Sequence, residues 1–243
     1  MSNFKIKLSR ILNEESYTSK DEAFTRREHY FVDVKDPEES NRKLREIRDN
    51  KATELYVYSS ALNEESYRII TSMQYLGILV LDSADITDND LKYIQLLGDL
   101  YYLSVNCKGI TDKGLKHLQL LRNLEVLDLS HTSVTDDGLR YLRVFKKLRR
   151  LFLSYTHNIT DEGLKYIAEI PTLKKLTLIN DNITDKGLKY LAGLAKFGEI
   201  TNLNLDATNI SHKALRALQN QLQGSLVKPI AALRGDNDWI YGD

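Results

Sequence analysis

A six-residue motif, Ile-Thr-Asp-x-Gly-Leu, recurs through the middle of the chain and constrains the fold more than any other feature. Its six copies begin at Ile86, Ile110, Val134, Ile159, Ile183 and Ile210. Successive copies start 24, 24, 25, 24 and 27 residues apart, a period typical of solenoid proteins. Because each unit of a solenoid packs only on its neighbours, we expect one continuous domain.

Each repeat joins a strand pattern to a helical one. Two apolar residues two positions apart open the unit, and apolar residues about three apart follow the motif, as at Leu115, Leu118 and Leu121. This change of period predicts a strand followed by a helix. The strand residues expected to face the core are Leu55 and Val57, Leu79 and Leu81, Leu103 and Val105, Leu127 and Leu129, Leu151 and Leu153, Leu176 and Leu178, and Leu203 and Leu205. The motif threonines, Thr87, Thr111, Thr135, Thr160 and Thr184, are predicted helix N-caps.

The aspartate of the motif follows the cap, where a negative charge complements the positive end of a helix. It also lies four residues before a base, which predicts ion pairs on a solvated helix face rather than a basic stripe for nucleic acid. The expected pairs are Asp88 with Lys92, Asp112 with Lys116, Asp136 with Arg140, Asp161 with Lys165, and Asp185 with Lys189. The glycine two residues after each aspartate predicts close approach of a neighbouring unit. Asp90 replaces it in the first copy and Ala214 in the last.

The extent of the pattern divides the chain into three regions. Residues 1–53 are interpreted as an N-terminal β-α capping region, and residues 54–224 as an array of about seven repeats of 24–27 residues. Residues 225–243 form a C-terminal cap or tail, in which Trp239, Ile240 and Tyr241 are expected to cover the last repeat. Terminal units close an open end of the core with polar surface, which explains why their sequences differ from the others.

The capping region contains diverged versions of the same unit. Alternating Phe4, Ile6 and Leu8 predict a strand, and the hexapeptide at 12–17, Leu-Asn-Glu-Glu-Ser-Tyr, returns intact at 62–67. A second strand is predicted at 30–34, and Asp36-Pro37 predicts the cap and first residue of a helix that runs towards Arg48.

The unit resembles a leucine-rich repeat of the ribonuclease-inhibitor-like or cysteine-containing type, and residues 127–139 carry the best match, Leu-Asp-Leu-Ser-His-Thr-Ser-Val-Thr-Asp-Asp-Gly-Leu. The resemblance covers residues 54–224. It implies an α/β fold, a curved solenoid with parallel strands on the concave face and helices on the convex face, generally used to hold another macromolecule. In place of the family's cysteine or asparagine after the strand, Thr132, Thr156 and Thr208 can hydrogen-bond the turn, whereas Ala84 cannot.

Composition and motif searches offer little support for catalysis. Positive and negative side chains balance at 34 each, so no bulk charge favours nucleic acid or a membrane. The sequence contains no phosphate-binding loop, nucleophile elbow or His-Glu-x-x-His motif, and we predict no enzyme activity, cofactor or metal. The single cysteine, Cys107, is interpreted as a packing residue rather than a reactive thiol. Neither a signal peptide nor a membrane-spanning run is recognisable, so a cytoplasmic location is expected, although non-classical secretion would leave no such signal.

Strand residues that point away from the core are expected on the concave surface. The candidate binding residues are Tyr56, Tyr58, Ile78, Val80, Asp82, Tyr102, Val126, Asp128, Arg150, Phe152 and Lys175. Aromatic residues and arginine are typical anchors of protein interfaces, so we expect an apolar patch beside two bases to bind a protein or peptide. A simpler interpretation is that these residues only stack on one another across the sheet.

The resulting hypothesis is a non-enzymatic scaffold whose concave face binds a protein or peptide partner. An alternative is a substrate-recognition adaptor of a larger complex, because some proteins with similar repeats are ubiquitin-ligase receptors; residues 1–53, however, show no recognisable F-box. A third, enzymatic hypothesis would need a hidden site formed from His131, His157, Asp128 or Cys107. A second copy of the chain could equally close the apolar face as a homodimer.

Overall fold

The computed structural model describes residues 30–58, 61–82, 85–179, 182–197, 201–205, 209–222 and 226–228. Strands occupy β1 Tyr30–Val32, β2 Glu54–Tyr58, β3 Ile78–Asp82, β4 Tyr102–Val105, β5 Val126–Asp128, β6 Arg150–Phe152, β7 Lys175–Thr177, β8 Asn202–Asn204 and β9 Leu226–Lys228. The α-helices are α1 Pro37–Asp49, α2 Glu64–Thr71, α3 Asp88–Ile94, α4 Asp112–His117, α5 Asp136–Leu139, α6 Leu164–Ile167, α7 Asp185–Leu191 and α8 His212–Gln221. Short 3-10 helices at Leu118–Leu120, Arg140–Val144 and Ala192–Phe197 extend three of them.

The nine strands of the described residues form a single parallel sheet in which they follow one another in sequence order. Each strand therefore pairs with the strand of the next unit, and the helices pack against one another on the opposite side. Neighbouring strands lie roughly 4.8 Å apart, whereas packed helices need about 8–10 Å. The helix side is consequently longer than the strand side, which curves the sheet with its strands on the concave face. The predicted α/β leucine-rich-repeat solenoid is confirmed.

The core lies between the sheet and the helices. All fourteen strand residues predicted to face inwards are fully buried, with 0% of their surface exposed. Leu115 and Leu118 of the helical segment, and Leu121 and Leu124 after its end, close the same layer from the other side. The core is a continuous column through the described units, because every unit contributes the same positions and shares them with its neighbours.

A ladder of carboxylates connects successive helices. The Asp88 carboxylate accepts hydrogen bonds from the backbone N–H of Thr111, at 2.7 Å, and from its hydroxyl, at 2.6 Å. The same hydroxyl accepts the N–H of Lys113, so one threonine caps its own helix and binds the preceding unit. Equivalent pairs join Asp112 to Thr135, Asp136 to Thr160, Asp161 to Thr184, and Asp185 to Ser211. We call these five pairs the Asp–Thr ladder.

The ladder corrects the expectation of ion pairs within each helix. Among the described residues, none of the five aspartates is ion-paired with the base four residues after it, and Lys165 instead pairs with Glu162. The energies explain the outcome, because an exposed i,i+4 pair contributes about 0.3–0.5 kcal/mol. A hydrogen bond to an ionised acceptor generally contributes more than such a pair, and each aspartate of the ladder accepts two.

The motif glycine makes room for the ladder. A Cβ atom placed on Gly138 would lie 2.1 Å from Oδ1 of Asp112, and one on Gly114 would lie 2.5 Å from Oδ1 of Asp88. Gly163 and Gly187 meet the carboxylate of the preceding unit in the same way. The predicted close approach of neighbouring units is therefore confirmed, and the group that approaches is a hydrogen-bonded carboxylate.

The first motif copy shows why glycine is absent there. The preceding unit has Glu64 where later units have the ladder aspartate, and Glu64 pairs with Arg68 of its own helix. Asp90 occupies the glycine position, and its own carboxylate accepts from the N–H of Thr87, at 2.9 Å, and from its hydroxyl, at 2.8 Å. The helix itself thus supplies the carboxylate that the preceding unit supplies in later copies.

The turns after the strands follow the prediction where the structure describes them. The hydroxyls of Thr132 and Thr156 donate to the carbonyls of Leu129 and Leu153. Cys107 is buried and its Sγ donates to the carbonyl of Ile86, at 3.0 Å, which agrees with a packing role. The predicted turn residues Ala84 and Thr208 lie outside the described residues.

The start of the described chain continues the array. The predicted helix begins at Pro37, and Asp36 caps it by accepting the N–H of Glu39 at 2.8 Å. Asn63 and Ser66 form a capping box at the start of α2, where Ser66 also donates to Asn41 of α1. The strand predicted at 4–8, the hexapeptide at 12–17 and the aromatic trio at 239–241 lie outside the described residues, and the three-region division stays a prediction.

We expect Gly138→Ala to lower the free energy of unfolding by about 1–3 kcal/mol, the usual cost of overpacking. The added methyl group would displace the Asp112 carboxylate and break its bonds to Thr135. Gly98→Ala is the matched control, since a Cβ atom added there would meet no heavy atom within 4 Å. Urea unfolding of both variants checks the prediction, and equal stabilities would contradict it.

The last pair of the Asp–Thr ladder, Asp185 with Ser211, should make the stability of the protein depend on pH. Hydrogen bonds from the backbone and then the hydroxyl of Ser211 hold the pKa of Asp185 below its ordinary value of 3.8. Its contribution is therefore complete above pH 3.8 and is lost as the pH falls through the lowered folded-state pKa. Asp185→Asn should reduce the melting temperature at neutral pH, and its difference from wild type should shrink in acid. The exposed Asp137→Asn is the control, and a difference for Asp185→Asn that is independent of pH would contradict the assignment.

Candidate partner-binding face

Parallel register places the eleven predicted binding residues in three rows across the concave face. One row runs along Glu54, Ile78, Tyr102, Val126, Arg150, Lys175 and Asn202. A second runs along Phe31, Tyr56, Val80, Ser104, Asp128, Phe152, Thr177 and Asn204. The third begins with Tyr58 beside Asp82. The repeat thus brings together residues that lie about 24 positions apart in sequence.

Five of these residues form an apolar cluster separate from the main core: Tyr56, Ile78, Val80, Tyr102 and Val126. Tyr58, Tyr101 and Phe152 pack against its rim. These five residues, which were predicted to belong to an apolar patch, are at most 5% exposed. The half-buried members at the rim, including Tyr58 and Phe152, are the ones accessible to solvent.

The N-terminal end of this face holds a buried acid beside the aromatic rings. Glu54 is fully buried, and its carboxylate accepts a hydrogen bond from the Tyr56 hydroxyl at 3.1 Å. Burial, followed by the charge of Glu54, raises the pKa of Tyr56 above its ordinary value of 10.0. Burial and the charge of Asp82 raise the pKa of Tyr58 in the same direction. Both phenols therefore remain neutral hydrogen-bonding groups at physiological pH.

The face changes character along the sheet from apolar to basic. Asp128 is buried and its carboxylate accepts the N–H of Ser130 at 2.9 Å. One strand further on, Arg150 lies beside Lys175 in register, and both are half-buried. A ligand that covers the whole face would therefore meet aromatic and aliphatic side chains at one end and two cations at the other.

Two aromatic residues in the turns that follow β5 and β6 were not among the predicted site residues. His131 and Tyr155 follow β5 and β6 at equivalent positions, and their rings stack at a centroid distance of 4.8 Å. Both have left-handed backbone conformations, with φ of 62° and 59°, which is uncommon for residues other than glycine. Such strain is concentrated at functional sites. The repeated Leu-Ser-aromatic-Thr pattern at 129–132 and 153–156 is the sequence signal that could have identified them.

The convex face carries the bases that were expected to pair with the ladder aspartates. Lys92, Arg140 and Lys189 lie over the rings of the tyrosines that follow them, at 4.8–5.0 Å from the ring centroids. Lys165 lies 5.1 Å from the centroid of Tyr190 in the next unit. Several of these bases therefore make cation–π contacts with tyrosine rings rather than i,i+4 ion pairs with the aspartates.

Neither a membrane-spanning helix nor a metal site is found among the described residues. Within them, no helix combines the length and apolar character needed to cross a bilayer. In the same ranges, no three His, Cys, Asp or Glu side chains are grouped as a metal site would require.

Comparisons with known proteins agree with the geometry. A family model described as a leucine-rich repeat matches residues 121–142 and 146–168. The chain therefore contains leucine-rich repeats. The matched ranges contain two successive copies of the repeated motif, whereas the ribonuclease-inhibitor-like subtype stays a prediction. No curated protein sequence matches the chain.

Solved structures share the fold of this chain at low sequence identity. An internalin (inlF) of Listeria monocytogenes is 16% identical with a TM-score of 0.53, and the match covers 84% of this chain and 58% of that one. Internalin C2 of the same organism is 23% identical with a TM-score of 0.51, covering 80% and 79%. A leucine-rich repeat protein of Leptospira interrogans is 19% identical with a TM-score of 0.50, covering 76% and 51%. These similarities support the fold alone.

Burial predicts that the apolar cluster stabilises the fold. Tyr102→Ala should lower the free energy of unfolding by roughly 3–5 kcal/mol, as for other large buried side chains. Phe31→Ala should cost only about 1 kcal/mol, because Phe31 is 46% exposed and its ring contacts are stacking on Tyr56 and Tyr58. Urea denaturation distinguishes the two, and equal small losses would show that the cluster is solvent-exposed.

Proposed function

We propose that this leucine-rich repeat protein is a non-enzymatic scaffold that holds a protein or peptide partner against its concave face. The observation that carries the proposal is the continuous face built by the register of β2–β7, with apolar side chains at one end and Arg150 and Lys175 at the other. Solenoids present such extended surfaces as binding sites, and leucine-rich repeats generally serve protein–protein interaction.

The half-buried residues of the concave face are the proposed contacts with the partner. Phe152 and Tyr58 are half-buried and supply aromatic surface, and Arg150 and Lys175 supply charge that fixes the orientation of the partner. Tyr155, which is 48% exposed, extends the aromatic surface beyond β6. Ile78, Val80 and Val126 belong to the buried cluster against which Tyr58 and Phe152 pack. We also propose that Tyr56, Tyr102, Asp82 and Asp128 take part in binding, because they lie in the same rows of the concave face.

A substrate-recognition adaptor remains the alternative form of the same proposal. In that form the concave face selects the client, and residues 1–53 dock the protein onto a larger complex. The proposal also keeps the predicted cytoplasmic location, which suits the single buried cysteine.

Affinity capture followed by quantitative binding tests the proposed face. A Phe152→Ala/Arg150→Ala variant should bind the purified partner at least about tenfold more weakly, since loss of two central contacts costs more than 1.4 kcal/mol. Both positions are half-buried and lie outside the buried cluster, although Phe152 packs against it, so circular dichroism should be used to check that the variant keeps the wild-type fold.

The matched control is Lys165→Ala/Lys189→Ala, which changes the same number of residues on the convex face. Isothermal titration calorimetry with the captured partner compares the three proteins. Unchanged affinity in the concave variant, together with a loss in the convex one, would move the binding site to the helices.

A further inference from the structure

Two rows of solvent-accessible side chains run together along the convex face of three successive units. Each unit carries an exposed base on its helical segment and, four positions later, an apolar side chain that the core does not bury. The pairs are Lys92 and Leu96, Lys116 and Leu120, and Arg140 and Val144. Leu96 and Leu120, at 66% and 58%, are the two most exposed large apolar residues in the described part of the chain. We call these six residues the convex patch.

The bases of the convex patch keep a charge that no neighbour neutralises. The aspartate four positions before each of them is bound to the cap of the next unit. Among the described residues, none of the three bases forms an ion pair, and Glu64 and Asp137 act on Lys92 and Arg140 only from beyond ion-pair distance. Residues 113–147 contain seven lysines and arginines against four acids, although the whole chain is neutral. This local excess favours an anionic partner.

The convex patch ends at the units on either side of it. In α2 the corresponding base, Arg68, forms an ion pair within its own helix, and the fourth residue after it is Ser72. On the other side Lys165 is ion-paired with Glu162, and the fourth residue after it is Glu169. Paired bases and polar side chains therefore border the patch, so its combination of charge and apolar surface is a property of three units and not of the repeat.

The spacing of the two rows indicates the shape of the partner. Packed helices lie about 8–10 Å apart, so both rows repeat at about that interval along the array. Seven residues of an α-helix rise about 10.5 Å. A helix that lies across α3–α5 therefore meets one base and one apolar side chain for every seven of its own residues.

We propose that the convex patch binds an amphipathic α-helix of a partner protein, in which an acidic and an apolar residue each recur every seven positions. The acids contact Lys92, Lys116 and Arg140, and the apolar residues cover Leu96 and Leu120. This site lies on the opposite side of the sheet from the concave face and does not depend on the proposed function. One molecule can therefore hold two partners.

A labelled helical peptide of three heptads, with glutamate and leucine each repeated every seven positions, tests the site by fluorescence anisotropy with the full-length protein. Lys116→Glu/Leu120→Ser should weaken its binding at least about tenfold, because this variant removes the central contact of both rows. Both side chains are exposed, so the fold should be retained. A peptide of the same composition in scrambled order should bind the wild type at least about tenfold more weakly.

The matched control is Tyr75→Ser/Lys189→Glu, which makes the same charge change and removes a large apolar side chain that is 56% exposed. Lys189 lies in α7, and Tyr75 lines a depression with Arg48 and Lys51, so both are outside the convex patch. This variant should bind the heptad peptide as the wild type does. The concave variant Phe152→Ala/Arg150→Ala should also bind it normally, which separates failure of this site from failure of the proposed function.

Charge exchange provides a second check of the proposed contacts. A heptad peptide with lysine in place of glutamate should bind the triple variant Lys92→Glu/Lys116→Glu/Arg140→Glu more tightly than it binds the wild type. Four results would overturn the proposal: no saturable binding of the heptad peptide, equal binding of the scrambled peptide, unchanged binding by Lys116→Glu/Leu120→Ser, or failure of the charge exchange. Binding to phosphatidylserine vesicles, or a dimer in sedimentation velocity, that is lost in Lys116→Glu/Leu120→Ser while the heptad peptide does not bind would assign the patch to a lipid surface or to a second copy.

Discussion

The hydrogen bonds between each aspartate and the threonine or serine of the next unit hold the helical side of the structure in register. One carboxylate binds both the backbone N–H and the hydroxyl of the following cap, and that hydroxyl in turn caps its own helix or turn at Thr111, Thr135, Thr160 and Thr184. The helices are short, and α5 and α6 have only four residues each. Helices of that length gain little from their own hydrogen bonds, so bonds between units and shared core residues determine whether they form.

Because the core and the ladder lie on the helical side of the sheet, the residues on its concave side are free to differ from one unit to the next. The inward positions of β2–β8 are occupied by leucine or valine, because the column of the core must stay continuous. The outward positions carry no such constraint, and they change from glutamate and tyrosine in β2 to arginine and lysine in β6 and β7. The gradient of polarity along the concave face is therefore the property that distinguishes this solenoid from one built of identical units, and it carries the functional proposal.

Much of the architecture follows from local sequence signals, but the partners of the polar groups do not. The positions of β2–β8 and four of the five threonine caps were predictable because each depends on residues within one period. The prediction for Thr160 was wrong, because a turn follows it and Gly163 is the N-cap of α6. The glycines predicted a close approach of neighbouring units, but not that an aspartate carboxylate is the group that approaches. The i,i+4 pairing of Asp88 with Lys92 was wrong because the competing hydrogen-bond donors, at Thr111, lie 23 residues away and come within reach only after the units stack. The burial of Tyr102 was not predicted, since the alternation of a strand states which face a side chain occupies and not how closely the side chains of neighbouring strands pack on that face.

The sequence by itself determined the repeat, the order of strand and helix, and the set of leucines that form the core, because period and side-chain polarity are properties of the chain. It also determined which residues share the concave face, since parallel strands one period apart align equivalent positions. Tertiary structure decided which donors each aspartate binds, why Asp90 replaces glycine, and that His131 and Tyr155 stack at the rim. Those outcomes depend on distances between units, and the distances are set only when neighbouring coils pack.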